Sequence, residues 1–357
     1  MTKRSFVIWT IALTVLFCLL LGLLNFIIDP LQYYRQASFY QPSFSEEQRY
    51  QAPALARNWD YDTIIIGSSM TENFIPTEVD KALDARTVKL SMSGCSAREE
   101  KLIIELALRE KQPRRVIWGL DYGSLKGDID RVRDETTPFP YYLYDDKWYN
   151  DYPYLFSKNT LRHTLEIISN ELWGKEAEIQ DPNYLNHWHS WATYGEEVLM
   201  QQWQEEKKQR QKVAMLYDQH DWSFAAMAKS FDVNIYPLIK EHPEVEYVIY
   251  FPPYSILRYK SLMLDDPQMI ADELKVKAYI WEKLKDCPNV ELYDFQADKS
   301  LTHKLDNYKD YSHHNIEYNE LILQAIATRD PDYLLTEENV QEKIQSLREQ
   351  IYLYEID

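Results

Sequence analysis

An uncharged run from Ser5 to Ile28 follows Lys3 and Arg4 at the start of the chain and includes the consecutive leucines Leu19, Leu20 and Leu21. At about 1.5 Å of rise per residue, about 20 apolar residues cross a hydrocarbon core of about 30 Å, so this run predicts a membrane-spanning helix. A cleaved signal peptide would show an apolar region of only about 7 to 15 residues ending at small side chains, whereas this run ends in Asn25-Phe26-Ile27-Ile28. Phe17, before Cys18, is too bulky for a lipoprotein signal. Positive charge before the run and Asp29-Pro30 after it place the short N-terminus in the cytoplasm and the remainder outside. Residues 1–30 are thus expected to be N-terminus and anchor.

Residues 31–58 are rich in Gln and Tyr, carry Pro42 and Pro53 and keep no period, which suits a juxtamembrane linker. The pattern then changes. Thr63-Ile64-Ile65-Ile66 is a β-branched run stopping at Gly67-Ser68-Ser69, the signature of a buried strand ending in a turn. A helix starting near Pro76 fits next. Thr87 to Met92 reads as a second strand that stops at Gly94, and Ser96 with Glu99 has the spacing of a capping box at the head of a helix carrying Leu102, Ile103 and Leu106. Arg115–Gly119, Glu246–Phe251 and Val290–Tyr293 are three further strand candidates with helical patterns between them.

Strands alternating with helices predict an α/β fold of three layers, a doubly wound, parallel, five-stranded sheet covered on both faces. Residues 125–225 break the rhythm, with an aromatic segment from Phe139 to Phe156 and helical stretches at Leu161–Leu172 and Glu196–Leu216. They are expected to form an insertion in a domain spanning 59–328. The tail, 329–357, contains a charged amphipathic helix with Val340, Ile344, Leu347 and Ile351 on one stripe.

The 357 residues are 45% hydrophobic and 14% aromatic, ample for a packed core, and the formal net charge of −18 argues against nucleic acid as a partner. Of three cysteines, Cys18 lies in the apolar run; Cys95 and Cys287 read as two buried thiols, with one bridge the alternative. No zinc-like cysteine spacing occurs, and no metal or cofactor is expected.

Ser69 is the strongest chemical candidate. In an open α/β sheet, ligands bind beyond the carboxyl ends of the strands, where this hydroxyl should lie. A serine needs a base, and the base an orienting group. Asp310-Tyr311-Ser312-His313 offers both, on a polar stretch after the last strand and before a helix expected from Ile316. His314 competes with His313, but the three-residue step from Asp310 favours His313. His187 and His189 have the spacing of one strand face, without a third ligand. The aromatic segment containing Tyr141, Tyr142, Trp148, Tyr149 and Tyr152 suits packing first, then sugar stacking or a membrane interface.

Gly67-Ser68-Ser69-Met70-Thr71 and, about 240 residues on, Asp310-Tyr311-Ser312-His313 resemble the SGNH (GDSL-type) esterase and acyltransferase superfamily, whose domain opens with a strand ending in Gly-Asp-Ser-Leu-Thr and closes with Asp-x-x-His. The resemblance covers residues 60–328. It implies a flavodoxin-like sheet, Ser69 as nucleophile, His313 as base and Asp310 as its orienting acid. It further implies an oxyanion hole built by the N–H groups of Ser69 and Gly94 and by an Asn after the third strand. Here the chain departs, placing Asp121 where Asn is expected. A carboxylate donates no hydrogen bond, and loss of one such donor typically costs about 100-fold to 1000-fold in rate. The anchor, the Gly-Ser-Ser turn and Phe251-Pro252-Pro253-Tyr254 are similar to bacterial envelope proteins such as the D-alanine-transfer protein of teichoic acid modification and the alginate acetyltransferases. That similarity implies acyl transfer to or from an envelope polymer, with a membrane-bound O-acyltransferase as a partner. The rival readings are a catalytically silent scaffold that kept the fold, and a lipase-like or thioesterase activity on lipids.

Overall fold

The structure is a computed structural model that describes residues 2–134, 137–176, 180–210 and 221–356. The chain divides into two compact units, one of Met1–Trp59 with Pro140–Leu185 and one of Asp60–Phe139 with Asn186–Asp357.

The second unit is built on five parallel strands, β1 (Thr63–Gly67), β2 (Thr87–Lys89), β3 (Arg115–Gly119), β4 (Glu246–Phe251) and β5 (Val290–Asp294), in the order β2-β1-β3-β4-β5 with helices on both sides. Three strands match the expected bounds; β2 stops at Lys89 and β5 runs on to Asp294. Ile64, Ile65, Ile66, Val116, Ile117 and Trp118 are all buried, as near-continuous apolar runs require when both faces of a sheet are covered. The register aligns Gly67 with Gly119 and Gly119 with Tyr250, so β1 and β3 end level and β4 runs one residue further. The strand order reverses between β1 and β3, and the crevice beyond their carboxyl ends is where such sheets hold ligands.

The helix Ala97–Glu110 begins with the expected capping box: Ser96 Oγ accepts from the Glu99 N–H, and the Glu99 carboxylate accepts from the Ser96 N–H at 2.8 Å. At the C-terminal end of the chain, the helix Val340–Leu353 buries Val340, Ile344, Leu347 and Ile351, the stripe legible in the sequence, and packs on the helices Ile256–Asp265 and Pro267–Leu284. The expected helix after Glu196 is observed to Arg210; its continuation lies outside the described residues. Cys95 and Cys287 are buried free thiols.

The first unit contains the helix Lys3–Ile28, long and apolar enough to cross a membrane. Asp29, in the left-handed region at φ 49°, caps it, and the Asp29 carboxylate accepts from the N–H groups of Tyr33, Tyr34 and Arg35 and from the Tyr154 hydroxyl. Arg35 turns back to donate to the Ile27 carbonyl at 2.7 Å, a cation at the negative end of the helix dipole. Residues 31–58, read as a linker, hold the helix Gln48–Asn58 with six consecutive buried residues from Gln51 to Ala56. The aromatic segment that the sequence assigned to a single insertion falls in this unit from Pro140 onward.

Candidate active site

The turn after β1 is set by two close approaches. Gly67 has φ 144°, and a Cβ there would lie 2.8 Å from the Gly119 carbonyl oxygen; a Cβ on Gly119 would lie 2.5 Å from Thr71 Cγ2. Only glycine fits either position, and the chain turns sharply into a short 3-10 segment, Ser69–Thr71, capped by Ser68 Oγ. Thr71 anchors the turn by donating to the Ser68 carbonyl at 2.9 Å and bonding Ser91 Oγ at 2.6 Å.

Ser69 Oγ lies 2.6 Å from His313 Nε2, and His313 Nδ1 lies 2.9 and 2.8 Å from the two Asp310 carboxylate oxygens. The sequence separates these groups widely; the fold brings them into one line. Asp310 Oδ1 also accepts from the backbone N–H groups of Ser312 and His313, both at 2.9 Å, which folds the four residues into a tight loop. Burial pushes the Asp310 carboxyl upward, but the His313 side chain and these two N–H groups outweigh it and hold the group below the usual carboxylate range. The loop is clamped from outside by Ser255, whose N–H and hydroxyl both donate to the Tyr311 carbonyl. His313 is about one-quarter exposed, so solvent or a substrate reaches it. His314 is buried, its Nδ1 on the Asn315 carbonyl, and burial lowers it to about 4.

Gly94 sits on the exposed turn after β2, at φ 58°. The Met92 N–H donates to the Gly67 carbonyl, which joins this turn to the one carrying Ser69. Asp121 follows β3, as expected, but its carboxylate is engaged. It accepts from Ser68 Oγ at 2.9 Å, from the Tyr254 hydroxyl at 2.8 Å and from the Gly123 N–H at 2.7 Å. Burial drives the Tyr254 hydroxyl well above its ordinary range, so it remains a donor. Ser68 and Asp121 are joined directly, the hydroxyl donating and the carboxylate accepting. Asp121 thereby ties the turn of Ser69 to the loop after β4, where the Phe-Pro-Pro-Tyr motif delivers Tyr254.

Several groups of this site were not singled out from the sequence. Trp188 donates its indole N–H to the Ser69 carbonyl at 3.2 Å, and its ring meets the His313 ring edge-on at 5.4 Å. The Lys309 ammonium lies 4.0 Å from the Trp188 ring centre and 5.3 Å from that of Trp191, which is 72% exposed. The neighbouring His187 and His189 rings are 6.0 Å apart; His189 Nδ1 is 3.0 Å from the Tyr194 hydroxyl, and burial lowers His187 to about 4. Among the described residues, no group of three or more His, Cys, Asp or Glu side chains is arranged to hold a metal ion.

No protein-family model matches this chain, and no curated protein matches it. A solved structure from Streptococcus pneumonia, provisionally described as a platelet activating factor, is similar over 80% of this chain and 91% of its own, with a TM-score of 0.41 and 9% identity.

Proposed function

We propose that this chain is a membrane-anchored, extracytoplasmic SGNH-type serine enzyme that moves acyl groups to or from hydroxyls of a cell-envelope polysaccharide. The observation that carries this reading is the continuous hydrogen-bonded line from Ser69 Oγ through His313 to Asp310. As Oγ adds to an ester or thioester carbonyl, His313 Nε2 takes the serine proton, and Asp310 holds the proton on Nδ1. The backbone N–H groups of Ser69 and Gly94 stabilise the oxyanion. The tetrahedral intermediate expels the alcohol or thiol, which leaves with the proton from His313. Acyl-Ser69 is then attacked by water or a sugar hydroxyl, whose proton passes to His313 and back to Ser69.

The rim of Trp188, Lys309 and exposed Trp191 favours a sugar substrate, because an open indole face stacks on pyranose C–H groups and an ammonium donates to hydroxyls. A membrane-bound O-acyltransferase would be the partner that supplies acyl groups. The engaged carboxylate of Asp121 favours one second reading, a scaffold without turnover, since it leaves two oxyanion donors where the SGNH pattern has three.

The test is p-nitrophenyl acetate turnover by the full chain in detergent, with and without oligosaccharide acceptors. The expected result is p-nitrophenol release lost in both Ser69→Ala and His313→Ala, and acetylated sugar when acceptor is present. Release unchanged in Ser69→Ala would overturn the nucleophile assignment, and no release from folded wild type would favour the scaffold.

A further inference from the structure

The anchor helix is bare on all sides over less than a membrane's thickness, although Leu23, Phe26 and Ile27 keep one face exposed beyond that stretch. Every residue from Phe6 to Leu20 is exposed, and the first fully buried one is Gly22. Fifteen bare residues at about 1.5 Å each cover about 22 Å, several ångströms less than a hydrocarbon core of about 30 Å. Counted from Ser5, the first residue after the two basic ones, about 20 residues reach Leu24. The hydrocarbon therefore extends over a part of the helix that protein already covers.

What covers it is the helix Tyr152–Phe156. A Cβ on Gly22 would lie 2.8 Å from Phe156 Cζ, so the ring lies directly against the helix backbone at that level. Asn25 donates its side-chain N–H to the Leu155 carbonyl at 2.7 Å, and the Tyr154 hydroxyl reaches Asp29. From Tyr154 to Phe156 the chain thus moves along the anchor from Asp29 toward its apolar middle. It then turns back at Ser157, which caps the helix Lys158–Trp173 by accepting from the Thr160 N–H, and Arg162, His163 and Ile167 of that helix line one cavity with Pro30 and Leu31. The lowest point of this hairpin is Phe156 to Lys158. Tyr152 and Phe156, four apart on one helix face, are 65% and 46% exposed, and Lys158 is exposed beside them. At the boundary of a bilayer, aromatic rings and a lysine that reaches outward are the stable arrangement.

We infer that this hairpin is seated in the lipid leaflet into which the anchor emerges, with the Phe156 ring among the outer acyl chains at the level of Gly22, Tyr152 nearer the headgroups and the Lys158 ammonium reaching up to the lipid phosphates. The inference rests on the reading of Lys3–Ile28 as a membrane span. The seat would fix the azimuth and depth of the first unit, which a single helix leaves free.

The test is site-directed spin labelling of the full chain in nanodiscs of phosphatidylcholine and phosphatidylglycerol, in a Cys18→Ser background that leaves only the buried thiols. Labels at Tyr152→Cys and Phe156→Cys are compared with Leu16→Cys in the span and with Lys175→Cys, an exposed position past the far end of the helix Lys158–Trp173. The expected result is a ratio of oxygen to nickel-chelate collisions several-fold higher at positions 152 and 156 than at 175, and highest at 16. Nickel access at 152 and 156 equal to that at 175, with 16 still in lipid, would overturn the seat while leaving the span intact. Nickel access at 16 as well would overturn the span. Exclusion of both reagents at 152 and 156 would also overturn the seat, assigning the two rings to a protein partner.

Discussion

Asp121 shows how one residue decides between readings. In the sequence it stands where the SGNH resemblance implies an oxyanion donor; in the structure its two oxygens satisfy Ser68, the Gly123 N–H and the buried Tyr254 hydroxyl. Asp121→Ala removes the acceptor from a buried hydroxyl, which typically costs about 1–3 kcal/mol. The expected outcome is a loss of that size in urea unfolding together with a fall in turnover, because the turn carrying Ser69 loses its brace. Tyr254→Phe should lower stability less, since it takes away a donor and leaves Asp121 two others. Glu100 carries a second expectation. Burial raises its carboxyl from 4.5 to about 8, with hydrogen bonds from Cys95 and Trp118 opposing. Between those values the folded chain keeps a proton that the unfolded chain has released, so this contribution is complete below pH 4.5 and is lost as pH rises toward 8. Glu100→Gln should gain stability relative to wild type steadily from pH 5 to 8, measured as the difference between paired denaturation curves. A constant difference over that range would contradict a protonated Glu100.

At the scale of elements, the helix Ala97–Glu110 depends on a reciprocal cap. Ser96→Ala should cost about 1–2 kcal/mol, checked by thermal melting, because it frees the Glu99 N–H and also ends the Ser96 bond to the Arg131 carbonyl. Elements of this kind were legible in advance: β-branched runs ended at Gly67 and Gly119, and the cap and the apolar stripe of the last helix have fixed spacings. Gln48–Asn58 was not legible, because Gln, Ala and an internal Pro53 give no apolar period. Nor was the placement of Pro140–Leu185, which rests on contacts such as Asn25 with Leu155 and Asp29 with Tyr154, more than a hundred residues apart. The candidate site divides the same way. Asp310 and His313 stand in one short motif whose three-residue spacing carries their contact, whereas their meeting with Ser69, 244 residues away, is made by the fold. Trp188, Lys309 and the tie from Tyr254 to Asp121 exist only after folding brings distant loops together.

For the molecule as a whole, the parallel sheet aligns the ends of β1 and β3 at the point where strand order reverses, and this gathers the turns bearing Ser69, Gly94 and Asp121. In the proposed reaction Ser69 forms a covalent acyl intermediate. It is tested most directly by intact-mass measurement of the full chain quenched in acid within seconds of mixing with p-nitrophenyl acetate, followed by peptide mapping. The expected result is one added acetyl group, located on Ser69, absent in Ser69→Ala and strongly reduced in His313→Ala. An acetyl group on another residue, or p-nitrophenol release that persists undiminished without Ser69, would contradict it.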